Sequence, residues 1–216
     1  VQPSKVTQLT QIPYLPISFF KSQSVQCYQG NKTGVVFESS GTTGSTNSKH
    51  TLYDEELYKA ISQTTFEAQY GSLTNYHILA LLPSYLERNN SSLVYMVDHF
   101  IKQSQSTLSG FYLHDAATLL QQLDRCLQDK SRKTLLIGVT FALLDLAEEG
   151  LTSLSHSFPE QLIVMETGGM KGRRKEMIRE ELHQLLSEAF QVSSIHSEYG
   201  MTELLSQGYS SGHGVF

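Results

Sequence analysis

Cysteine is scarce in this chain of 216 residues, which has only Cys27 and Cys126. Two cysteines cannot form a disulfide framework, and free thiols are typical of the reducing cytoplasm, where we expect the protein to work. Long apolar runs are absent as well, so the sequence predicts no membrane-spanning helix. The chain begins at Val1 without Met or a signal-peptide pattern, and we therefore expect it to be a piece of a longer protein.

Basic residues are also few. Lys and Arg number 16 against 21 Asp and Glu, which gives a formal net charge of −5. That balance predicts no binding of nucleic acid, which is attracted to basic surfaces. An anionic ligand would have to be held by local features, such as backbone amides, a metal ion or a few cations. With 39% apolar and 17% charged residues, the chain has the composition of a folded protein.

The histidines lack the spacing of a zinc site such as His-x-x-x-His, and no Ser/His/Asp order stands out. We therefore expect no zinc, and we expect these histidines to lie on the surface or to be partly buried. They are His77, His99, His114, His183 and His196.

Short apolar runs alternate with helical patterns along the chain. The sequence predicts strands over residues 35–37, 77–82, 111–113, 134–137, 162–165 and 192–195. Predicted helices lie between them. Asp54 caps one over residues 55–70, Ser91 or Ser92 caps one that runs through residue 99, and Asp115 caps one with an apolar stripe at Ala116, Leu119, Leu120, Leu123 and Leu127. Two more helices are predicted over residues 140–150 and 173–190, the last with Ile178, Leu182, Leu185, Leu186, Ala189 and Phe190 buried. This alternation predicts an α/β fold with a mostly parallel sheet flanked by helices. Ligands in such folds bind beyond the carboxyl ends of the strands.

The first motif is a loop rich in Ser, Gly and Thr that follows the strand predicted at residues 35–37. Its glycines let successive backbone amides converge on an anion, and its hydroxyls add donors. It lacks the Gly-Lys-Ser/Thr end of a Walker loop, and a surface turn explains the loop alone equally well. We call residues 39–44 the Ser/Thr loop; its candidate ligands are Ser39, Ser40, Gly41, Thr42, Thr43 and Gly44.

The second motif is Thr167-Gly168-Gly169, which we call the glycine turn. It follows a predicted strand, and paired glycines allow a flat ligand to approach the backbone. A tight strand-to-helix turn needs the same glycines. Three cations follow, Arg173, Arg174 and Lys175, and we expect them to open the next helix as a solvated basic edge. A nearby anionic ligand, which would offset their unfavourable position at a helix N-terminus, is the alternative.

The third motif, Tyr199-Gly200-Met201-Thr202-Glu203, is called the Thr-Glu motif. The Tyr199 ring can stack on a base, the Thr202 hydroxyl can donate to a phosphate, and Glu203 is a hard oxygen ligand suited to Mg²⁺. A capped loop or helix start is the alternative explanation. An apolar group at residues 94–96 with Phe100 could line an acyl tunnel, although a core helix explains it as well.

The three motifs, in this order, resemble those of the adenylate-forming ligase superfamily, which includes acyl-CoA synthetases. The branch most similar is that of acyl-protein synthetases and phenylacetate-CoA ligases. Further residues that resemble this branch are Ile12-Pro13-Tyr14-Leu15-Pro16-Ile17, Phe20-Lys21, His50 and Glu166.

The resemblance implies activation of a carboxylic acid, in particular a fatty acid, as an acyl-adenylate, with ATP and Mg²⁺ as cofactors. Transfer to a thiol acceptor, CoA or a protein cysteine, would follow. The Ser/Thr loop would wrap the β- and γ-phosphates, and Gly168 and Gly169 would line the adenine and acyl pocket. Tyr199 would pack on adenine, while Thr202 and Glu203 would be catalytic, binding the α-phosphate and Mg²⁺.

The sequence departs from the family at its C-terminal end. The ribose-binding aspartate, the lysine of the mobile C-terminal domain and the acceptor cysteine of acyl-protein synthetases are all missing from residues 1–216. We therefore expect the chain to be an N-terminal adenylation domain or part of one. A non-catalytic nucleotide- or acyl-binding module remains the alternative. A phosphotransferase is disfavoured, since no lysine follows Gly44 directly.

Overall fold

The computed structural model describes residues 2–26, 33–39, 46–82, 90–112, 115–148, 160–170 and 173–216. Its strands are β1 (Val35–Glu38), β2 (Lys49–Leu52), β3 (Tyr76–Leu81), β4 (Gly110–Phe111), β5 (Lys133–Gly138), β6 (Leu162–Glu166), β7 (His196–Gly200) and β8 (Gln207–Ser210). Its helices are α1 (Phe19–Ser22), α2 (Glu55–Tyr70), α3 (Ser92–Ser104), α4 (Ala116–Gln128), α5 (Thr140–Glu148) and α6 (Arg179–Phe190). Short 3-10 turns lie at Pro3–Lys5, Leu9–Gln11 and Leu73–Asn75.

Six strands form one sheet in the order β4-β3-β5-β6-β7-β8. All neighbouring pairs are parallel except β7 and β8, which are antiparallel. Every residue of β3 is buried, as are five of the six residues of β5. Such continuous burial is typical of parallel strands covered by helices on both faces. The predicted α/β fold with a mostly parallel, helix-flanked sheet is confirmed.

Three helices begin where the sequence predicts. The side chains of Asp54, Ser91 and Asp115 accept hydrogen bonds from backbone amides in the first turns of α2, α3 and α4. Each cap satisfies an amide that would otherwise lack a partner. Leu119, Leu123 and Leu127 of the predicted α4 stripe are buried, and so is Cys126.

The C-terminal third corrects two predictions. The last parallel strand is β7 at His196–Gly200 rather than residues 192–195, so Tyr199 and Gly200 belong to the strand itself. Helix α6 begins at Arg179, after the three cations at residues 173–175, and Ile178 is exposed rather than buried. Leu182, Leu186 and Phe190 form the buried side of α6, whereas Leu185, also expected to be buried, is exposed.

Two strands were not predicted. β2 pairs antiparallel with β1 in a separate two-stranded sheet, and β8 pairs antiparallel with β7. Both are short polar segments, and pairing with a neighbouring strand determines their conformation more than their own sequence does. Their effect is to fix the ends of β1 and β7, from which two of the motifs extend.

One histidine contradicts its expected exposure. His77 is 3% exposed on β3. Its Nδ1 lies 2.6 Å from Ser106 Oγ, and its Nε2 lies 3.0 Å from Asp129 Oδ2. The imidazole thereby connects β3 to the segments that follow α3 and α4, at the edge of the sheet away from the three motifs.

Candidate functional site

A cavity of about 540 Å³ lies at the carboxyl ends of β6 and β7. All three motifs contribute to its wall, although more than 150 residues of sequence separate the first motif from the third. The candidate residues that line it are Ser39, Gly168, Gly169, Tyr199, Thr202 and Glu203. The remaining candidates, Ser40, Gly41, Thr42, Thr43 and Gly44, lie outside the described residues. The tertiary fold therefore brings together every candidate that the structure describes.

The base of the Ser/Thr loop is closed by reciprocal hydrogen bonds. The amide of Ser39 donates to the carbonyl oxygen of Ser48 at 3.0 Å, and the amide of Ser48 donates to Ser39 Oγ at 2.9 Å. Antiparallel pairing of Glu38 with Lys49, which also form an ion pair at 3.3 Å, holds the strands below. The loop therefore starts from a fixed stem at the cavity.

The glycine turn is held by a buried carboxylate. Glu166 Oε2 accepts hydrogen bonds from the amide of Gly168 at 2.6 Å and from Thr140 Oγ1 at 3.1 Å. His183 Nε2 lies 3.7 Å from the other carboxylate oxygen, and burial lowers the pKa of this imidazole. Gly168 and Gly169 have φ of 74° and 91°, a conformation that costs little only for glycine. Glu166 thus sets the shape of this wall of the cavity.

The Thr-Glu motif turns sharply after β7, with the amide of Leu204 donating to the carbonyl of Met201 at 3.0 Å. The Nδ1–H of His50 donates to the carbonyl oxygen of Thr202 at 2.9 Å. Among the described residues, no group is hydrogen-bonded to the Thr202 hydroxyl or to the Glu203 carboxylate. Backbone contacts therefore position the motif and leave these two side chains available at the cavity.

The Tyr199 ring is also accessible. It is 56% exposed and makes an edge contact with the ring of Phe216, with centroids 6.1 Å apart. An exposed aromatic face at the mouth of a cavity can stack on a flat ligand.

Two of the three cations after the glycine turn have partners of their own. Arg174 donates through Nε to Asp145 at 2.9 Å and through Nη1 to Glu148 at 2.7 Å, so it connects this segment to α5. The guanidinium of Arg173 lies over the ring of Phe141, 4.9 Å from its centroid. Neither arginine lines the cavity, and the predicted solvated basic edge is wrong for Arg174.

Glu198 on β7 was missed by sequence reasoning. It lines the cavity and is 8% exposed. Desolvation, together with the nearby charge of Glu166, raises the pKa of Glu198 to about 8. The available signal was a carboxylate in a strand next to the Thr-Glu motif, since acidic side chains are rare at buried strand positions.

Apolar side chains form a further part of the cavity wall. The sequence left open whether Met96 and Phe100 line an acyl tunnel or belong to the core. Met96 is buried and lines the cavity, whereas Phe100 packs in the core. Apolar side chains next to polar groups are typical of a small-molecule site. The further apolar lining residues are Leu93, Met170, Met177, Leu182 and Phe216.

Two features are absent from the described residues. None of their helices is long and apolar enough to cross a membrane. They also contain no group of three or more His, Cys, Asp or Glu side chains placed to hold a metal ion.

No protein-family model matches the chain, and neither does any curated protein. Among solved structures, the chain is similar to coronafacic acid ligase from Pectobacterium brasiliense, with a TM-score of 0.46 and 13% identity. The similarity covers 77% of this chain and 29% of that one. Such a likeness does not establish a function, which has to be argued from the site.

Proposed function

We propose that the cavity binds ATP with Mg²⁺ and activates a carboxylic acid as an acyl-adenylate. One observation carries the proposal: the described parts of all three motifs line one cavity at the carboxyl ends of the strands. The motifs are those that resemble adenylate-forming ligases, and nothing in their spacing along the chain requires them to meet. Membership of that superfamily, and of its acyl-protein synthetase branch in particular, is part of the proposal.

The charge of the cavity wall indicates how a polyphosphate could bind. The described lining carries one cation, Arg179, and five acidic residues: Glu38, Glu166, Glu176, Glu198 and Glu203. ATP alone would be repelled by this wall. Mg²⁺ reverses the balance, because it binds one or two carboxylates together with phosphate oxygens. Glu203, at the cavity and without a partner among the described residues, fits that role.

The other residues would position the reacting groups. Tyr199 would stack on adenine, and the Thr202 hydroxyl would donate to an α-phosphate oxygen. The Ser/Thr loop would hold the β- and γ-phosphates, and Gly168 and Gly169 would leave space for adenine and the acyl group. The substrate carboxylate then attacks the α-phosphorus, the bond to the bridging oxygen breaks, and pyrophosphate leaves. The chain contributes position and charge neutralisation, so no protein nucleophile is needed.

The adenylate is a mixed anhydride that a thiol can attack, with AMP as the leaving group. We propose a thiol acceptor, CoA or a protein cysteine, for this second step. Cys126 is not the acceptor, since it is buried and burial raises the pKa of its thiol to about 12.

Acid-dependent exchange of labelled pyrophosphate into ATP tests the proposal on the intact protein. Exchange should require both Mg²⁺ and a carboxylic acid, and it should be lost in Thr202→Val. Mg²⁺-ATP binding without exchange across a broad panel of acids would favour the alternative, a nucleotide-binding module. Absence of nucleotide binding would overturn both.

A further inference from the structure

The inner wall of the cavity contains a carboxyl group without a donor. Glu198 is more than nine-tenths buried, and among the described residues no group donates a hydrogen bond to it and no cation pairs with it. The titratable groups that face it are Glu166 on β6, Tyr58 on α2 and Tyr209 on β8, none of which carries positive charge. A buried polar group without a partner costs free energy, and a ligand can remove that cost.

A second acceptor without a donor lies beside it. Gln207 uses its Nε2 to donate to Tyr58 Oη at 3.3 Å, and Tyr58 Oη in turn donates to the carbonyl oxygen of Ser92 at 3.2 Å. This chain fixes the amide of Gln207. Its Oε1 is buried without a hydrogen-bond partner. Buried amide oxygens are nearly always satisfied in folded proteins, so this one requires an explanation.

Gly200 lies close to both acceptor residues. A Cβ at this position would lie 2.7 Å from Glu198 Oε1 and 3.8 Å from Gln207 Cγ. The first distance is shorter than a van der Waals contact allows. The missing side chain therefore lets the Glu198 carboxyl lie against the backbone of Gly200, next to Gln207. We call this part of the cavity wall, lined by Glu198, Gly200 and Gln207, the recess.

The chemistry of the recess selects its occupant. Gln207 Oε1 is an acceptor, and the Glu198 carboxyl accepts through both oxygens once it loses its proton, so a ligand that brings donors can satisfy both groups. Glu166 already accepts hydrogen bonds from Thr140 and Gly168, but its carboxylate still contributes a negative field at Glu198. A cationic donor makes hydrogen bonds to the acceptors and also offsets the negative charge of Glu166. A hydroxyl group makes the hydrogen bonds but does not offset the charge.

We propose that Glu198 and Gln207 receive an ammonium group of the substrate, so that the acid activated at this site is an amino-bearing carboxylic acid rather than a plain fatty acid. The recess determines specificity, and the chemistry at the carboxylate end rests on the proposed function. Leu93 and Met96 line the same cavity and supply apolar surface on which the alkyl portion can pack.

The recess can be tested without ATP. Hexylammonium and its neutral counterpart 1-hexanol are titrated into the intact protein by calorimetry at pH 7. We expect hexylammonium to bind at least tenfold more tightly than hexanol. Since Glu198 is largely protonated in the free protein at this pH, binding of the cation should release close to one proton. Titrations in phosphate and in Tris, whose ionisation enthalpies differ, measure that release.

Variants separate the recess from general charge effects. Glu198→Gln should abolish proton release and weaken hexylammonium at least tenfold, and Gln207→Met should weaken it severalfold while leaving proton release intact. Glu160→Gln removes an exposed carboxylate outside the cavity and should change neither. Equal binding of hexylammonium to wild type and Glu198→Gln would overturn the inference, and Gln207→Met provides the test if Glu198→Gln does not fold.

Pyrophosphate exchange then distinguishes this inference from the proposed function. Wild type should exchange pyrophosphate faster with amino-bearing acids than with plain acids of the same length. The pairs to compare are 4-aminobutanoate with butanoate and 6-aminohexanoate with hexanoate. Exchange with the plain acids, unaffected by Glu198→Gln, would leave the proposed function standing and refute the ammonium recess. Hexylammonium binding with proton release, together with no binding of ATP, would support the ammonium recess and refute the proposed function.

Discussion

His50 Nδ1 donates a hydrogen bond to the backbone carbonyl oxygen of Thr202 at 2.9 Å, across 152 positions of sequence. His50 lies on β2, whose partner β1 leads into the Ser/Thr loop. The same imidazole makes an edge contact with the ring of Phe20. One side chain therefore couples the stem of the Ser/Thr loop to the Thr-Glu motif.

Removal of this bond should loosen the cavity. In His50→Ala, Mg²⁺-ATP affinity should fall about fivefold, because a hydrogen bond of this kind contributes about 1 kcal/mol. Calorimetry measures the affinity. The control is His99→Ala, which removes another histidine hydrogen bond, to Gln63 at 3.1 Å, outside the cavity. A comparable loss of ATP affinity in both variants would mean that the effect is one of general stability.

Replacement of Glu203 should lower ATP affinity when Mg²⁺ is present but not when Mg²⁺ is removed. With Mg²⁺ present, Glu203→Gln should weaken ATP at least tenfold, because a ligand to the metal is lost. With EDTA, the variant should bind ATP at least as well as wild type, because a repulsive carboxylate is gone. Met201→Ala should change affinity far less in both conditions. Equal effects of the two substitutions would mean that the motif has a structural role only.

Gly168 should be needed for its backbone conformation. A Cβ at Gly168 meets no atom within 4 Å, so Gly168→Ala adds no clash, only the strain of φ at 74°. The free energy of unfolding should fall by about 1–3 kcal/mol. Gly71→Ala is the matched control, since Gly71 has φ of 81° and equally open space but lies at the end of α2.

Both glycine variants should lose similar stability in urea denaturation. Only Gly168→Ala should also reduce binding of nucleotide or acid, because the turn that it distorts lines the cavity. Unchanged ligand binding in Gly168→Ala would show that the glycine turn does not contribute to the ligand site.

Glu198 should make stability depend on pH. Its pKa is raised from 4.5 to about 8, so the folded state holds this proton more tightly than the unfolded state. The resulting contribution to the free energy of unfolding is complete below about pH 4.5 and is lost as pH rises through 8, at up to about 1.4 kcal/mol per pH unit.

Glu198→Gln should remove the loss of stability that wild type undergoes as pH rises. Relative to wild type, the variant should become progressively more stable as pH rises from 5 to 8.5, as followed by urea midpoints at several pH values. Glu160→Gln should parallel wild type throughout. A constant difference between Glu198→Gln and wild type at all pH values would contradict the raised pKa of Glu198.

The sequence by itself determined the alternation of strands and helices and the caps of three helices. It did so because those features depend on local spacing: Asp54, Ser91 and Asp115 each precede a helical pattern by one residue. The same local reasoning identified the three motifs by their residue types. It misplaced the last parallel strand, because Tyr199 and Gly200 pair with β8, a partner that their own sequence does not reveal.

Only the tertiary structure decided that the motifs share a cavity and that Glu198 belongs to it. Strand order places β6 beside β7 and directs their carboxyl ends to one edge of the sheet, which no local pattern encodes. The properties of Glu198 likewise come from neighbours distant in sequence: Tyr58 and Tyr209 cover it, and Glu166 adds its charge. Burial and electrostatic field are sums over such neighbours, so a carboxylate that is ordinary in the sequence becomes a weak acid in the fold.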